Sequence, residues 1–148
     1  MDCEMCETVT NIKDDPYLIT ELETGFVSLG WYQRFKGYTL FICKQHGPEL
    51  HNLEYAFKMK YLEEMALVAE AICNIYKPDK MNYELLGNVC SHLHWHLFPR
   101  VDGDTPEKGP VFWLPKEELC DEATRPGEEK RKEMIMEIKN EIIRLRKK

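Results

Sequence analysis

Between residues 92 and 100 the chain alternates with a period of two: His92, His94 and His96 take every second position, and Leu93, Trp95 and Leu97 fill the gaps. Side chains at i, i+2 and i+4 of an extended strand share a face, so the pattern predicts a strand with one imidazole-bearing face and one apolar face turned to a core. On a helix the same spacing would scatter the rings by about 100° per residue and serve neither face. Upstream, Tyr17–Thr20 and Gly25–Leu29 read as a hairpin turning at Glu23-Thr24-Gly25, and Tyr38–Cys43 reads as a third strand. Met81–Leu86 reads as a strand entering a turn at Gly87-Asn88, which makes a hairpin with the histidine strand. The period changes between Asn52 and Lys77, where Leu53, Phe57, Leu62, Met65, Val68, Ala69, Ile72 and Ile75 mark the buried stripe of a helix capped by Asn52 and stopped by Pro78. Met134, Ile135, Ile138, Ile142 and Leu145 predict a C-terminal helix over 128–146, with Glu128 and Glu129 early and Arg144 and Arg146 late, as the helix dipole favours. Together these elements predict an α+β domain, an antiparallel sheet of about five strands with two main helices.

Composition narrows the classes of function. A chain of 148 residues is one ordinary domain, 1–148, large enough to bury a core without disulfides. Its net charge of −6 argues against nonspecific nucleic-acid binding, yet leaves room for a small phosphorylated ligand, which needs only local donors. The N-terminal segment Met1–Cys6 lacks the basic and apolar runs of a secretory leader, and no apolar run approaches a membrane span. The expectation is a cytoplasmic protein whose six cysteines are thiols.

Three of the five histidines sit in the alternating run, which weakens the reading of a half-buried strand that merely happens to carry histidine. Neutral imidazole is a nucleophile, a general base and a metal ligand, and its pKa of about 6.5 lets it change role near neutrality. Cys3-Glu-Met-Cys6 is a second motif, since a two-residue gap lets both thiolates reach one ion. If the strand ending at Cys43 pairs antiparallel with the histidine strand, His46 and His92 meet, and Cys3, Cys6, His46 and His92 close a tetrahedron. The competing reading leaves Cys3 and Cys6 as frayed terminal thiols. The hairpin turn beside the histidines puts Asn82 and Asn88 in position to offer amide hydrogen bonds, although turn chemistry alone would also explain them. The loop Gly30–Gly37 reads either as a solvated turn or as a ligand contact, with an aromatic side chain stacked on a base and Gln33, Arg34 or Lys36 at phosphate or sugar. Arg100 reads as a surface salt bridge.

The run His92-Leu93-His94-Trp95-His96-Leu97-Phe98-Pro99-Arg100 resembles the histidine triad (HIT) motif. The approach Asn82-Tyr83-Glu84-Leu85-Leu86-Gly87-Asn88 resembles the bacterial diadenosine-tetraphosphate-hydrolase-like branch of that family, with the likeness strongest over 1–113. The resemblance implies a HIT-like fold, a homodimer, and a nucleotide hydrolase or nucleotidyl transferase acting on a nucleoside polyphosphate or phosphoramidate. It makes His94 the nucleophile of a covalent intermediate and sets His96 at the phosphoryl oxygens and leaving group, with Asn82, Asn88 and His96 nucleotide-binding. It also agrees with a structural zinc ion on Cys3, Cys6, His46 and His92, no organic cofactor being implied, while His92 reads alternatively as an orienting partner. The chain departs from the family pattern at three places. Gly30 stands where relatives carry an acidic or amide residue that holds ribose, Tyr38 stands for the histidine of a Gly-His-Thr segment, and Asn88 stands for glutamine. Two rival readings stay open at this point: a hydrolase with zinc on the triad itself, and a nucleotide-binding protein with negligible turnover.

Overall fold

The five strands of the sheet are laid down in the order β1 (Leu18–Glu21), β2 (Gly25–Leu29), β3 (Thr39–Cys43), β4 (Lys80–Glu84) and β5 (His94–Arg100), and they lie side by side as β1-β2-β3-β5-β4. The computed structural model describes residues 3–148, so Met1 and Asp2 of the N-terminal segment lie outside the described residues. Every neighbouring pair is antiparallel, and β5, last in sequence, enters between β3 and β4. The α+β architecture read from the sequence is the one observed.

The helices α2 (Tyr55–Tyr76) and α4 (Glu128–Arg146) pack against each other and cover one face of the sheet. Val27, Leu29, Phe41 and Leu97 from the strands meet Tyr61, Val68 and Ile72 of α2 and Met134, Ile138, Ile142 and Leu145 of α4 in a continuous core. The C-terminal stripe therefore closes on its own chain, against α2 and β1. α2 begins at Tyr55 rather than Asn52, because Leu50–Asn52 winds into a separate 3-10 turn and the Glu54 carboxylate takes the cap by accepting from the Phe57 N–H. It ends where Lys77 turns left-handed (φ 48°) before Pro78, which cannot continue a helix.

On the opposite face a helix that the pattern did not announce, α1 (Glu4–Asn11), lays Met5 and Val9 beside Ile12, Phe26 and Ile42. α1 covers β2 and β3, with Leu18 of β1 packed at the edge of the same cluster. The part of β5 beyond His94 is left for a small cluster of Phe35, Phe98 and Val111, with Leu119 from the short helix α3 (Lys116–Leu119) packed on it. One expectation needs correction here. The histidine strand begins at His94, not His92, and His92 lies in the connection leading into it. Partners distant in the chain cause this: the Leu93 N–H bonds to the Gly47 carbonyl, and the His92 ring is drawn to partners outside the strand.

Candidate active site and metal centre

Pairing of β3 with β5 sets Ile42 opposite His94 and Leu40 opposite His96, and pairing of β4 with β5 sets Glu84 opposite His96 and Asn82 opposite Phe98. The antiparallel pairing of β3 and β5 also brings the residue after one strand to the residue before the other, so His46 and His92 meet. The start of α1 adds the two thiols. Ligand atoms of Cys3, Cys6, His46 and His92 all lie within 4.8 Å of one another. The Cys6 Sγ is 3.2 Å from His46 Nδ1 and 3.4 Å from His92 Nδ1, and the Cys3 Sγ is 3.8 Å from His92 Nδ1. Bond lengths of about 2.3 Å to sulfur and 2.0–2.1 Å to nitrogen in a tetrahedron separate ligand atoms by about 3.5 Å, so the cluster fits one zinc-sized ion. The chemistry of the donors fits too. His92 Nε2 lies 2.7 Å from the Cys43 carbonyl oxygen, which only accepts, so Nε2 carries the proton and Nδ1 turns its lone pair to the thiols. Burial, the main cause, holds the His92 ring below the ordinary imidazole range and so in its neutral, ligating form.

The other two rings point elsewhere. The triad does not present three imidazoles to one hollow: the ring of His92 faces Cys3 and Cys6, while His94 and His96 sit edge to face at 4.8 Å on the sheet face that α1 leaves open. The backbone of His92 nevertheless belongs to the pair, because its carbonyl oxygen lies 2.6 Å from His94 Nδ1. A carbonyl can only accept, so His94 Nδ1 carries the proton and Nε2 keeps its lone pair. His96 Nδ1 lies 2.6 Å from the Tyr38 hydroxyl. Burial first, and then neighbouring His94, bring the His96 pKa down to about 4, so the ring is neutral at physiological pH. Burial, followed by the nearby Glu84 and Cys120, pushes the Tyr38 phenol up. Tyr38, His96 and Phe98 lie with their planes within 12° of one another, Tyr38 on Phe98 at 4.2 Å, and form a continuous aromatic floor.

Arg100 is not a surface residue. It is 8 % exposed, grips both carboxylate oxygens of Asp104 at 2.8 Å, and donates at 2.9 Å to Asn82 Oδ1 and at 3.0 Å to the Gly109 carbonyl. Asn82 thus has its amide oxygen engaged, and Asn88 is exposed in the connection between β4 and β5. The Gly30–Gly37 loop closes mostly on itself. Gln33 Nε2 donates to the Gly30 and Tyr38 carbonyls, its Oε1 accepts from the Gly37 N–H, and Arg34 donates to the Asp104 carbonyl. Lys36 lies 5.9 Å from the centre of the Tyr76 ring. Two cavities flank the histidine pair: one of about 390 Å³ reaches His94 with His51, Lys58, Gly87 and Ser91 in its walls, and one of about 260 Å³ reaches His96. Sequence reasoning singled out Tyr38 without naming His96 as its partner, and missed Glu84 as a neighbour of His96. The signal for Glu84 was the alternation of Asn82 and Glu84 on the strand paired with the histidines, which puts both on the face of His96 and Phe98.

Residues 18–103 match the family model of the HIT domain. The chain belongs to the HIT family. Solved HIT structures share its fold: a histidine triad protein from Bradyrhizobium japonicum is 22% identical with a TM-score of 0.75, over 90% of this chain and 95% of that one. A hypothetical histidine triad nucleotide-binding protein from Sulfolobus tokodaii is 23% identical with a TM-score of 0.70, over 97% and 93% of the two chains. A zinc-bound histidine triad family protein from Mycobacterium smegmatis is 22% identical with a TM-score of 0.68, over 99% and 97%. Comparison with curated protein sequences yields no match. Family membership points to nucleotide binding and hydrolase- or transferase-type chemistry. Among the described residues no helix is long and apolar enough to cross a membrane.

Proposed function

We propose that this HIT protein is a nucleotide hydrolase or nucleotidyl transferase that works through a covalent intermediate on His94, with a nucleoside polyphosphate or phosphoramidate as substrate. The observation that carries the reading is the 2.6 Å approach of His94 Nδ1 to the His92 carbonyl, which leaves Nε2 as the free nucleophilic nitrogen. Its lone pair attacks phosphorus, a P–N bond forms, and the bond from phosphorus to the leaving group breaks. The positive charge that develops on the ring is shared with the carbonyl through Nδ1–H. Water then cleaves the phosphohistidine and restores His94. His96, neutral and held at Nδ1 by Tyr38, offers Nε2–H to a phosphoryl oxygen, a contribution of roughly 10²–10³ in rate for a well-aimed donor.

Asn88 enters as an amide donor to the nucleotide, and Asn82 with only its amide nitrogen to offer. Cys3, Cys6, His46 and His92 are the residues that would hold a zinc ion, which when bound ties the start of α1 to the start of β5 and so fixes the carbonyl that orients His94. No step of the reaction passes through it. A homodimer in the cytoplasm is part of the same reading, supported by the unpaired edge of β4 and by exposed Tyr83, Leu86 and Val89 on and just after that strand. The test is mass spectrometry of the protein quenched during turnover of an adenosine phosphoramidate and of a dinucleoside tetraphosphate. A nucleotidyl adduct on His94, and loss of turnover in His94→Ala, are expected. Unmodified His94 with undiminished turnover in His94→Ala would overturn the reading.

A further inference from the structure

The reading above leaves two features at the His96 end unused. One is the cavity of about 260 Å³, whose floor is the aromatic layer of Tyr38, His96 and Phe98 and whose walls include Leu86 and Phe112. The other is Glu84, which stands directly across from His96 in the β4–β5 register and lines the same cavity. Residues directly opposite each other in an antiparallel pair point to the same face, so the carboxyl and the imidazole flank one space. The Glu84 carboxyl makes no hydrogen bond among the described residues. Burial raises its pKa above the ordinary carboxylate range, and Arg100 offsets this only in part, since its guanidinium is bonded to Asp104, Asn82 and Gly109.

The chemistry asks for such a group. An amine or alkoxide expelled from phosphorus must take up a proton as it leaves, and a neutral His96 held at both its roles has none to release. A nucleotide leaving through a phosphate oxygen needs no proton. It would bring several negative charges into a largely apolar space beside a carboxyl, at a desolvation cost that the donors beyond His96 are ill placed to repay, since the Tyr32 hydroxyl donates to Glu122 and the Arg34 guanidinium to the Asp104 carbonyl.

We propose that the cavity beside His96 receives the leaving group, that this group is apolar and departs neutral, and that Glu84 is the acid that protonates it. The proposal rests on the assignment of His94 as nucleophile. As the bond between His94 Nε2 and phosphorus forms, the P–N bond to the amine breaks, its electron pair stays on the amine nitrogen, and that nitrogen takes the Glu84 proton. The resulting carboxylate then accepts the proton of the water that attacks phosphohistidine. His94 and Glu84 are both restored, with nucleoside monophosphate and free amine as products. The chain is accordingly a better catalyst for amine-linked nucleotides than for dinucleoside polyphosphates.

Three probes separate the possibilities: the adenosine phosphoramidate of phenylethylamine, the adenosine phosphate ester of nitrophenol, and diadenosine tetraphosphate. Nitrophenol also fits an aromatic cavity but leaves as a stable anion without a proton. Glu84→Gln is expected to lose about 10²–10⁴ in the single-turnover rate of His94 adduct formation on the phosphoramidate, whereas on the nitrophenyl ester, whose first step needs no proton, the burst of nitrophenolate should keep its wild-type rate even as the later hydrolysis slows. The wild type is expected to have a higher kcat/KM for the phosphoramidate than for the tetraphosphate. Equal losses in adduct formation on the amide and the ester would mean that Glu84 only supports the site, and no loss on the amide would remove it altogether; either result overturns the proposal. A nitrophenolate burst that depends on His94 but not on Glu84, with adduct formation from the amide also unaffected, sinks the acid while leaving the nucleophile standing. A wild type inert to all three would overturn both.

Discussion

Strand β5 is anchored at both ends, and the two anchors work by different physics. At its end, Arg100 carries its own charge and meets a matching carboxylate four residues on, with Asn82 and the Gly109 carbonyl completing its bonds. At its start, Cys3, Cys6, His46 and His92 are four electron-pair donors turned toward a common point, and a cation from solution would join them. The first anchor is built wholly from the chain. With such an ion bound, the carbonyl of His92, and through it the ring of His94, would answer to what the solution contains. A strand that presents two imidazoles with fixed nitrogens is thus held at one end by the chain alone, and at the other would be held by recruitment of an ion.

The largest effect is expected from removing the self-contained anchor. Arg100→Met leaves the largely shielded Asp104 carboxylate without its partner, and breaking a buried pair this way costs about 3–5 kcal/mol. Urea unfolding should show a lower midpoint at unchanged m. Next in size is the recruited anchor: zinc at roughly 100 times its Kd should stabilise the wild type by about 2.7 kcal/mol, and Cys6→Ser should lose that response. Arg100→Met should keep it, and a Cys6→Ser protein that still gains stability from zinc would erase the contrast between the two ends. Between the anchors, Tyr38→Phe keeps the ring stack on Phe98 and removes only the hydroxyl beside His96 Nδ1. A cost of about 0.5–1.5 kcal/mol in stability and a slower turnover with the His94 adduct still forming are expected.

A last contrast is an order of loosening under acid. The unfolded chain protonates His96 near pH ~6.5 and the folded protein only at about 4, so the unfolded state binds more protons in that window and the stability due to neutral His96 drains as pH falls through it. Asp104 is held below the ordinary carboxylate range, chiefly by its hydrogen bonds from Arg100, which outweigh the opposing effect of burial. Its contribution is complete above pH ~3.9 and is lost only below it. Protection factors from amide exchange should therefore fall around His96 before they fall around Asp104, and the reverse order would contradict the assignment.

Much of this arrangement is legible in the chain. Period-two alternation marks the strands and the period near 3.6 marks α2 and α4, because each of those elements buries one continuous side. The spacing of Cys3 and Cys6, together with one antiparallel pairing, was enough to gather the four candidate ligands. What alternation could not say is that His92 would leave the strand: its ring answers to Cys43 and the thiols, partners 49 or more positions away, and no local period reports them. α1 escaped for a related reason. It has only eight residues, and its apolar contacts Phe26 and Ile42 lie in strands far along the chain. Arg100 looked like a surface cation because burial of a charge depends on a loop folding back with its counterion, and Asp104 sits in a segment rich in Gly, Pro and Asp that reads only as a turn.

Gly30 and Tyr38 face each other across the start of β3, where the Gly30 N–H bonds to the Tyr38 carbonyl and a Cβ on Gly30 would fall inside the Tyr38 ring. These are also two of the positions at which the motif resemblance implies other residues. The two positions are therefore one. A carboxylate or amide side chain cannot be placed at 30 while the phenol remains at 38, so any attempt to install the ribose-holding residue that the resemblance implies has to exchange both positions together and, in doing so, give His96 a different neighbour.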